Sequence, residues 1–415
     1  MIGRLIQTME ERKLLYQKSF TSEDVKDTIL KKNTSIYCGF DPTAPSLHLG
    51  HLSLIRVLVL AAKCGIRPIV LWGGGTAMVG DPTGRRELRP MLSFEEIQNY
   101  KKNFEKLITR YFPHEEGIPS VLFLDNEDWL LKLSMMDFAR DVAKHFTVAK
   151  LLSADANKTR YQEGGLTVFE MCYQILQSYD FFYLNKYHDC LLQVGGSDQW
   201  SNILGGVDLI RRKSQESAFG LTVPLLTRSD GQKIGKTQGN AIWLDPSMTS
   251  PYDFFQYLRN LPDVDIPQMC LYFLDEDVSD LQKRILKEPI NELKKHFAYE
   301  MTKWVHGEEE ARKALDSAQT LFGKHSHWQD QEGIPKIEIE VSKLPQGILD
   351  IIVHAGFVSS KTEAKKLILG KGLTLGEKIC EDIQYQIQLK DFENDQLLLR
   401  KGKKDYKILR LNHDK

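Results

Sequence analysis

The feature that most restricts the fold is an alternation running from Ser35 to about Val223. Short apolar runs bounded by turn residues alternate there with segments whose apolar positions recur at helical spacing. Ile36–Phe40, Ile66–Trp72, Val121–Leu124 and Cys190–Val194 read as buried strands. His51–Lys63, Phe94–Tyr111, Met135–His145, Val168–Tyr183 and Asp198–Arg211 read as helices. Parallel strands need long crossovers, most often helical, so the pattern predicts an α/β unit. Its parallel sheet is covered on both faces, with ligand bound at the carboxyl ends of the strands.

Beyond Ser250 the strand signals stop, and Tyr252–Asn260, Ile266–Phe273, Val278–Lys287 and Asn291–Val305 read as successive helices. The polar, glycine-containing stretch Gln319–Ile334 marks a linker. After it, Lys336–Leu411 mixes helices with short alternating strands such as Gln384–Leu389 and Gln396–Arg400. The expected division is an α/β domain over 1–249, an all-α domain over 250–325, a linker over 326–340 and a small α+β domain over 341–415.

Charge narrows the partners little. Lysine plus arginine number 55 against 56 acids, a net charge of -1, so any basic surface must be local. The six cysteines are scattered without a C-x-x-C, which fits free thiols in a reducing compartment rather than a disulfide framework or a zinc site. The amino terminus interrupts its apolar positions with Arg4, Glu10, Glu11, Arg12 and Lys13, so no signal-peptide core is expected. The longest apolar stretch, Leu54–Cys64, carries Arg56 and Lys63 and is too short to span a bilayer. The expectation is a cytoplasmic protein with no membrane partner.

Chemistry concentrates first at Tyr37–His51, YCGFDPTAPSLHLGH. His48-Leu49-Gly50-His51 leads into an apolar-periodic helix, whose free N–H groups and dipole favour an anion such as phosphate. Two imidazoles three residues apart can both donate to phosphate oxygens from one helix face. Gly50 removes a side chain where a base or ribose could approach the backbone. A His-x-x-His pair alone is more often a cap or core feature, and zinc would lack further ligands.

The longer string resembles the tyrosyl-tRNA synthetases of the bacterial type. HLGH is similar to the His-x-Gly-His signature of class I aminoacyl-tRNA synthetases. The resemblance continues through Gly73-Gly74-Gly75, GDPTGRR (Gly80–Arg86), VGGSDQWSN (Val194–Asn202) and KIGKT (Lys233–Thr237), and so covers nearly the whole chain. It implies a Rossmann-like catalytic domain, L-tyrosine, ATP with accompanying Mg2+ and tRNA(Tyr) as substrates, no resident metal, and a homodimer.

Asp230–Asn240, DGQKIGKTQGN, invites comparison with a Walker A loop. Only three residues separate Gly231 from Gly235, and Asp230 stands where a glycine would rescue the match. By resemblance KIGKT is instead a variant of the second class I signature. Lys233, Lys236 and Thr237 would then stabilise charge developing on the leaving pyrophosphate, with Arg85 and Arg89 as basic partners. The resemblance also implies that Thr43, His48 and His51 act at the reacting phosphates, and that Gly39, Asp41 and Gly50 complete the ATP site.

Val168–Tyr183 is apolar nearly all round, yet Tyr173, Gln177 and Asp180 fall at i, i+4 and i+7 as one polar stripe. Buried polar groups need partners, which an internal network or a ligand could provide. The resemblance implies a ligand: Tyr173, Gln177 and Asp81 for the ammonium of tyrosine, Tyr37 and Asp180 for its phenolic hydroxyl, and Gln199 beside the substrate. A phenol wants a donor and an acceptor, and a cation wants a carboxylate and acceptor oxygens, so the residue types suit those roles.

From Val341 to Lys415 there are 14 lysines and arginines against 10 acids, clustered at Lys361–Lys371 and Arg400–Arg410. Clustered cations are the footprint of phosphate-backbone binding. Ser359–Lys378 resembles an S4-type RNA-binding module, and Ser360-Lys361-Thr362-Glu363-Ala364-Lys365-Lys366 matches its helix. Leu373-Thr374-Leu375-Gly376 departs from the usual turn by lacking an Asn. Lys361, Lys365, Lys366 and Lys371 are the tRNA contacts this resemblance implies.

Overall fold

The structure is a computed structural model that describes residues 1–21, 24, 34–83, 91–229, 231, 234–235, 241–322, 333–402 and 405–413. The chain forms two compact units. One comprises Met1–Gly235, Trp243–Asp245 and Pro267–Lys283; the other comprises Lys236–Ile242, Pro246–Ile266 and Arg284–Lys415. The all-α segment and the α+β tail, expected as separate domains, therefore share a unit. Helix Ile266–Phe273 lies almost wholly in the first unit instead.

The first unit is built on a six-stranded sheet of β1 (Gln17–Lys18), β2 (Ser35–Phe40), β3 (Arg67–Trp72), β4 (Leu122–Asp125), β5 (Cys190–Gly196) and β6 (Phe219–Val223), in the order β1-β6-β5-β2-β3-β4. Every pair is parallel except β1 with β6. Ile36, Ile69, Val70, Leu192 and Leu221 are fully buried, because a sheet covered on both faces buries the side chains of its central strands on either side. From β2 the chain steps outward through β3 and β4, then crosses to β5 and β6 on the other side. The order thus reverses between β2 and β5, and the crevice for a ligand opens at their carboxyl ends.

Helices α1 (Ile2–Glu11), α2 (Leu52–Lys63), α3 (Phe94–Ile108), α4 (Val168–His188) and α5 (Trp200–Ser214) belong to this unit. Ser93 with Glu96 and Thr167 with Glu170 form reciprocal caps that start α3 and α4 where their apolar periodicity begins. The buried guanidiniums of Arg12 and Arg56 donate to the Leu274 carbonyl, so α1 and α2 are tied to the carboxyl end of helix Ile266–Phe273. The expected helix Met135–His145 is instead three short turns: Met135–Asp137, a wide turn Phe138–Val142, and Ala143–His145. The Asp141 and His145 carbonyls accept from the side chains of Lys213 and Arg212.

In the second unit α6 (Pro251–Arg259), α7 (Ile290–His306) and α8 (Glu308–Phe322) pack around Phe254, Phe255 and Phe297. Helix α8 runs past Gln319, where the linker was expected to begin. The tail has a five-stranded sheet of β7 (Lys336–Glu340), β9 (Leu373–Leu375), β10 (Lys378–Ile379), β12 (Gln396–Lys401) and β13 (Asp405–Asn412), with β8 (Gln346–Gly347) and β11 (Gln386–Ile387) paired apart. Because β7 pairs with β13 from Lys336 to Glu340, these five residues of the expected linker 326–340 belong to the sheet. Their alternation KIEIE turns Ile339 into the tail core while the acids stay outside. Helices α9 (Ile348–His354) and α10 (Lys361–Leu369) bury Ile351, Ile352, Ala364 and Ile368 in that same core.

Candidate functional site

The site is assembled at the reversal point of the first sheet. Tyr37 stands on β2, with Ile69 of β3 on one side and Gln193 of β5 on the other. It is fully buried, and its hydroxyl has no hydrogen-bond partner among the described residues. Burial, then the charge of Asp180, pushes its phenol well above the ordinary range, so it stays a neutral donor.

Asp180 sits on α4, the helix whose polar stripe was read from the sequence. Asn126 Nδ2 and Trp129 Nε1 donate to its two carboxylate oxygens at 2.9 and 2.8 Å. Burial pushes this carboxyl up to about 8, while those two donors pull the other way. Gln177 lies one helical turn before it, its amide oxygen buried and without a partner among the described residues. Tyr173 donates to Asp41 Oδ2 at 2.8 Å, and Thr76 donates to Asp41 Oδ1 at 2.8 Å. Asp41, expected on the nucleotide side, is thereby joined to the residues expected to hold the amino acid.

Asp81 and Gln199 meet directly, Gln199 Nε2 donating to Asp81 Oδ2 at 2.8 Å. Asn202, one turn into α5, donates to Gln199 Oε1 at 3.0 Å and fixes which end of the amide faces Asp81. All six residues expected around tyrosine are thus described: Tyr37 lies near Asp180, Tyr173 is bonded to Asp41, Asp81 is bonded to Gln199, and Gln177 shares α4 with Tyr173 and Asp180.

Reading the sequence missed four further residues. Thr76, Asn126 and Trp129 link the pocket wall to Asp180, and Gln193 is buried beside Tyr37, its amide oxygen without a partner among the described residues. A signal was available: Asn126 directly follows β4 and Gln193 lies within β5, near the strand ends where ligands gather.

The phosphate side centres on HLGH. His48 and His51 do not share an α-helical face, because the chain first makes a tight single turn over Leu49–His51 before α2. His48 Nδ1 accepts from Gly50 N at 3.1 Å, and His51 Nδ1 accepts from His48 N at 3.1 Å. With both Nδ1 atoms acting as acceptors, the neutral rings carry their protons on Nε2, and the rings stack at 3.9 Å. Burial, then the neighbouring His48, holds His51 well below the ordinary histidine range, so it is neutral at pH 7. A Cβ on Gly50 would lie 2.9 Å from the His48 ring, so the glycine here makes room for the histidine rather than for a base.

Gly39, next to last in β2, faces open space, and the Thr43 amide donates to the Asp41 carbonyl at 2.8 Å. Gly235, the glycine of KIGKT, has φ +88° and lies close enough that a Cβ would sit 3.1 Å from Leu49 Cβ. The two signatures therefore meet. Lys233, Lys236, Thr237, Arg85 and Arg89 lie outside the described residues.

In the tail, Ser360 caps α10 by accepting from Glu363 N, and Ser359 donates to the Glu363 carboxylate. The Ser-Lys-x-Glu-Ala string is thus a cap followed by a buried Ala364, with Lys361, Lys365, Lys366 and Lys371 all exposed. Lys361 pairs with Asp350 and Lys371 with Glu381. The hairpin from β9 to β10 forms without the Asn, its bend supplied by Gly376 at φ +56°. A second cluster escaped the sequence reading: Lys144, Lys150, Arg211, Arg212 and Lys213. Burial first and then these neighbouring cations lower the Lys150 ammonium and His145.

Among the described residues no group of three or more His, Cys, Asp or Glu side chains is arranged to hold a metal ion, and all six cysteines are free. No described helix is long and apolar enough to cross a membrane.

Comparison with known proteins places the chain. The family described as class I tRNA synthetases (W and Y) matches residues 30–323, and a tyrosine–tRNA ligase C-terminal domain family matches residues 328–409. A tyrosine–tRNA ligase of Clostridium kluyveri is 44% identical over 396 residues, covering 94% of this chain and 96% of that protein. One from Acetivibrio thermocellus is 41% identical over 416 residues, covering 99% of this chain and 100% of that protein. Among solved structures, a C-terminally truncated mitochondrial tyrosyl-tRNA synthetase from Aspergillus nidulans is similar with a TM-score of 0.68 at 27% identity. It covers 77% of this chain and 94% of its own.

Proposed function

The chain belongs to the tyrosine–tRNA ligases of the class I aminoacyl-tRNA synthetases, and from that premise we propose how its residues divide the work. The activity consumes ATP to join tyrosine to tRNA.

The observation that carries the assignment is a buried tyrosine hydroxyl near a buried acid, with a buried amide oxygen one turn along the acid's own helix. Tyr37 Oη and Gln177 Oε1 lack partners among the described residues, and Asp180 lies on the same helix as Gln177. An unsatisfied buried group costs about 1–3 kcal/mol, which a ligand supplying the missing donor or acceptor offsets. The phenol of tyrosine fits: Tyr37 donates to its oxygen, and Asp180 accepts its proton. At the other end Tyr173, Gln177 and Asp81 receive the ammonium, with Asp41 holding the Tyr173 hydroxyl and Gln199 holding Asp81.

ATP enters as its Mg2+ complex, as substrate. A tyrosine carboxylate oxygen attacks the α-phosphorus, and the bond to the bridging oxygen breaks to release pyrophosphate. The two Nε2–H groups of His48 and His51, with Thr43, donate to phosphate oxygens as charge builds. Lys233, Lys236, Thr237, Arg85 and Arg89 are assigned to the departing pyrophosphate, and Gly39 and Gly50 border the nucleotide. A ribose hydroxyl at the 3′ end of tRNA(Tyr) then attacks the carbonyl of tyrosyl-adenylate, and AMP leaves. No protein nucleophile takes part; orientation and fixed donors supply the rate.

The tail binds tRNA through Lys361, Lys365, Lys366 and Lys371, as an S4-type module would. The cations at the end of α5 offer a second surface for phosphates. A homodimer is the assembly we assign, and the exposed apolar residues Met135, Met136, Val148, Val168 and Phe169 offer surface that it could cover. Free thiols support a cytoplasmic setting. Calorimetric titration of amino acids without ATP tests the pocket: tyrosine should bind and phenylalanine should not detectably bind. Equal binding of the two would remove Tyr37 and Asp180 from the phenol site.

A further inference from the structure

We propose that Lys101, on α3, is a positioning residue for tyrosine recognition, acting through Asp125, Glu127 and Asn126 on both ends of the pocket. This rests on the pocket assignment above. Lys101 Nζ bridges two carboxylates where β4 ends, Asp125 Oδ2 at 2.6 Å and Glu127 Oε1 at 3.0 Å. The three side chains are largely buried, 16%, 11% and 20% exposed, so the ammonium offsets acids that water reaches poorly. Gln98, one turn earlier on α3, donates to the other Glu127 oxygen.

From this clamp the bonds run inward. The second Asp125 oxygen accepts from Gly74 N at 3.2 Å and from Glu127 N at 3.0 Å. The turn after β3 and the turn after β4 are thereby held to one carboxylate. Between the two acids stands Asn126, whose Oδ1 accepts from Gly75 N at 2.8 Å. Its Nδ2 spends one hydrogen on Thr76 Oγ1 and the other on Asp180 Oδ2, both at 2.9 Å. The first branch continues through Thr76 to Asp41 and Tyr173, at the ammonium end; the second reaches the phenol end directly. The turn cannot absorb a shift by itself. A Cβ on Gly74 would meet Asp125 Oδ1 at 2.5 Å and Glu127 Oε2 at 2.7 Å.

Removing the ammonium leaves two close carboxylates facing each other. Their separation would carry Asn126 with them, moving Asp180 and Tyr173 in one step. Displacing a recognition group without removing it should weaken tyrosine more than ATP, since the HLGH donors belong to a different segment.

The test is pyrophosphate exchange by the full chain with tyrosine and ATP varied separately, for Lys101→Met, Lys101→Arg, Lys101→Gln and Asp180→Asn. Lys101→Met should raise the KM for tyrosine about tenfold and leave the KM for ATP within about twofold. Lys101→Arg should restore most of the loss, because it keeps a cation between the acids. If Lys101→Met does not fold, Lys101→Gln, which keeps one donor, must show the same split in smaller measure. Equal effects on both substrates, or a lowered melting temperature with unchanged KM for tyrosine, would overturn the proposal. If Asp180→Asn also left tyrosine untouched, the pocket assignment itself would fall. A large Asp180→Asn effect beside a silent Lys101→Met would refute only the relay.

Discussion

The Tyr37 hydroxyl is buried, neutral and without a partner among the described residues, so removing it disturbs little except what the ligand feels. Tyr37→Phe should narrow the ratio of kcat/KM for tyrosine over phenylalanine by about 0.5–1.5 kcal/mol, the worth of one neutral hydrogen bond. Steady-state kinetics with both amino acids reads this directly, and an unchanged ratio would place the residue outside the phenol site. Asp180 gives a second prediction through its own proton. Its carboxyl is raised from an ordinary 3.8 to about 8 by burial, so the folded chain holds the proton more tightly than the unfolded chain does. That contribution to stability is fully present below about 4 and is lost as pH rises through about 8. Asp180→Asn cannot lose a proton. Melting curves of the unliganded proteins should therefore shift in the variant's favour, relative to the parent, between pH 5 and pH 8.5. A constant difference across that range would mean the group is not buried as described.

At the scale of elements, the turns at the strand ends decide whether the pocket closes around its ligand. A Cβ on Gly73 would lie 1.9 Å from Asp41 Oδ1, so Gly73→Ala must push Asp41 away from Thr76 and Tyr173. Its effect should appear as a raised KM for tyrosine, measured in pyrophosphate exchange, with KM for ATP less affected. Much at this scale was legible beforehand. The four strands named from apolar runs fall within a residue or so of β2 to β5, because a sheet buried on both faces leaves an unbroken apolar signature. The polar stripe of Tyr173, Gln177 and Asp180 on α4 was legible for the complementary reason, standing out on an apolar helix. Other features were hidden because they depend on contacts remote in sequence. The Met135–His145 helix is split into short turns whose Asp141 and His145 carbonyls are bonded by Lys213 and Arg212, some seventy residues onward. The histidines cap a turn instead of sharing a helical face. Asn126 earns its place only by lying between Thr76 and Asp180, which no local pattern reveals.

For the whole molecule, the residues assigned to tyrosine and ATP lie between Tyr37 and Thr237, while the exposed lysines assigned to tRNA begin at Lys361. Ending the chain after residue 332 should leave tyrosine-dependent pyrophosphate exchange largely intact and sharply reduce tRNA charging. The full chain's affinity for tRNA should also fall more steeply with salt than that of the shortened chain, since fewer phosphates are neutralised in the latter. Equal charging at moderate salt would make the tail an appendage without a tRNA role. The strand at Lys336–Glu340 shows why the linker was misplaced in the sequence: its alternation is short, and its partner β13 lies some seventy residues onward. The central claim is that a buried tyrosine and a buried aspartate select the substrate by its phenolic hydroxyl. Pyrophosphate exchange by the full chain, with tyrosine, phenylalanine and tryptophan compared at equal concentration, tests it most directly. Exchange should depend on tyrosine, with phenylalanine far weaker and tryptophan at background. Comparable exchange with phenylalanine or tryptophan would contradict the account.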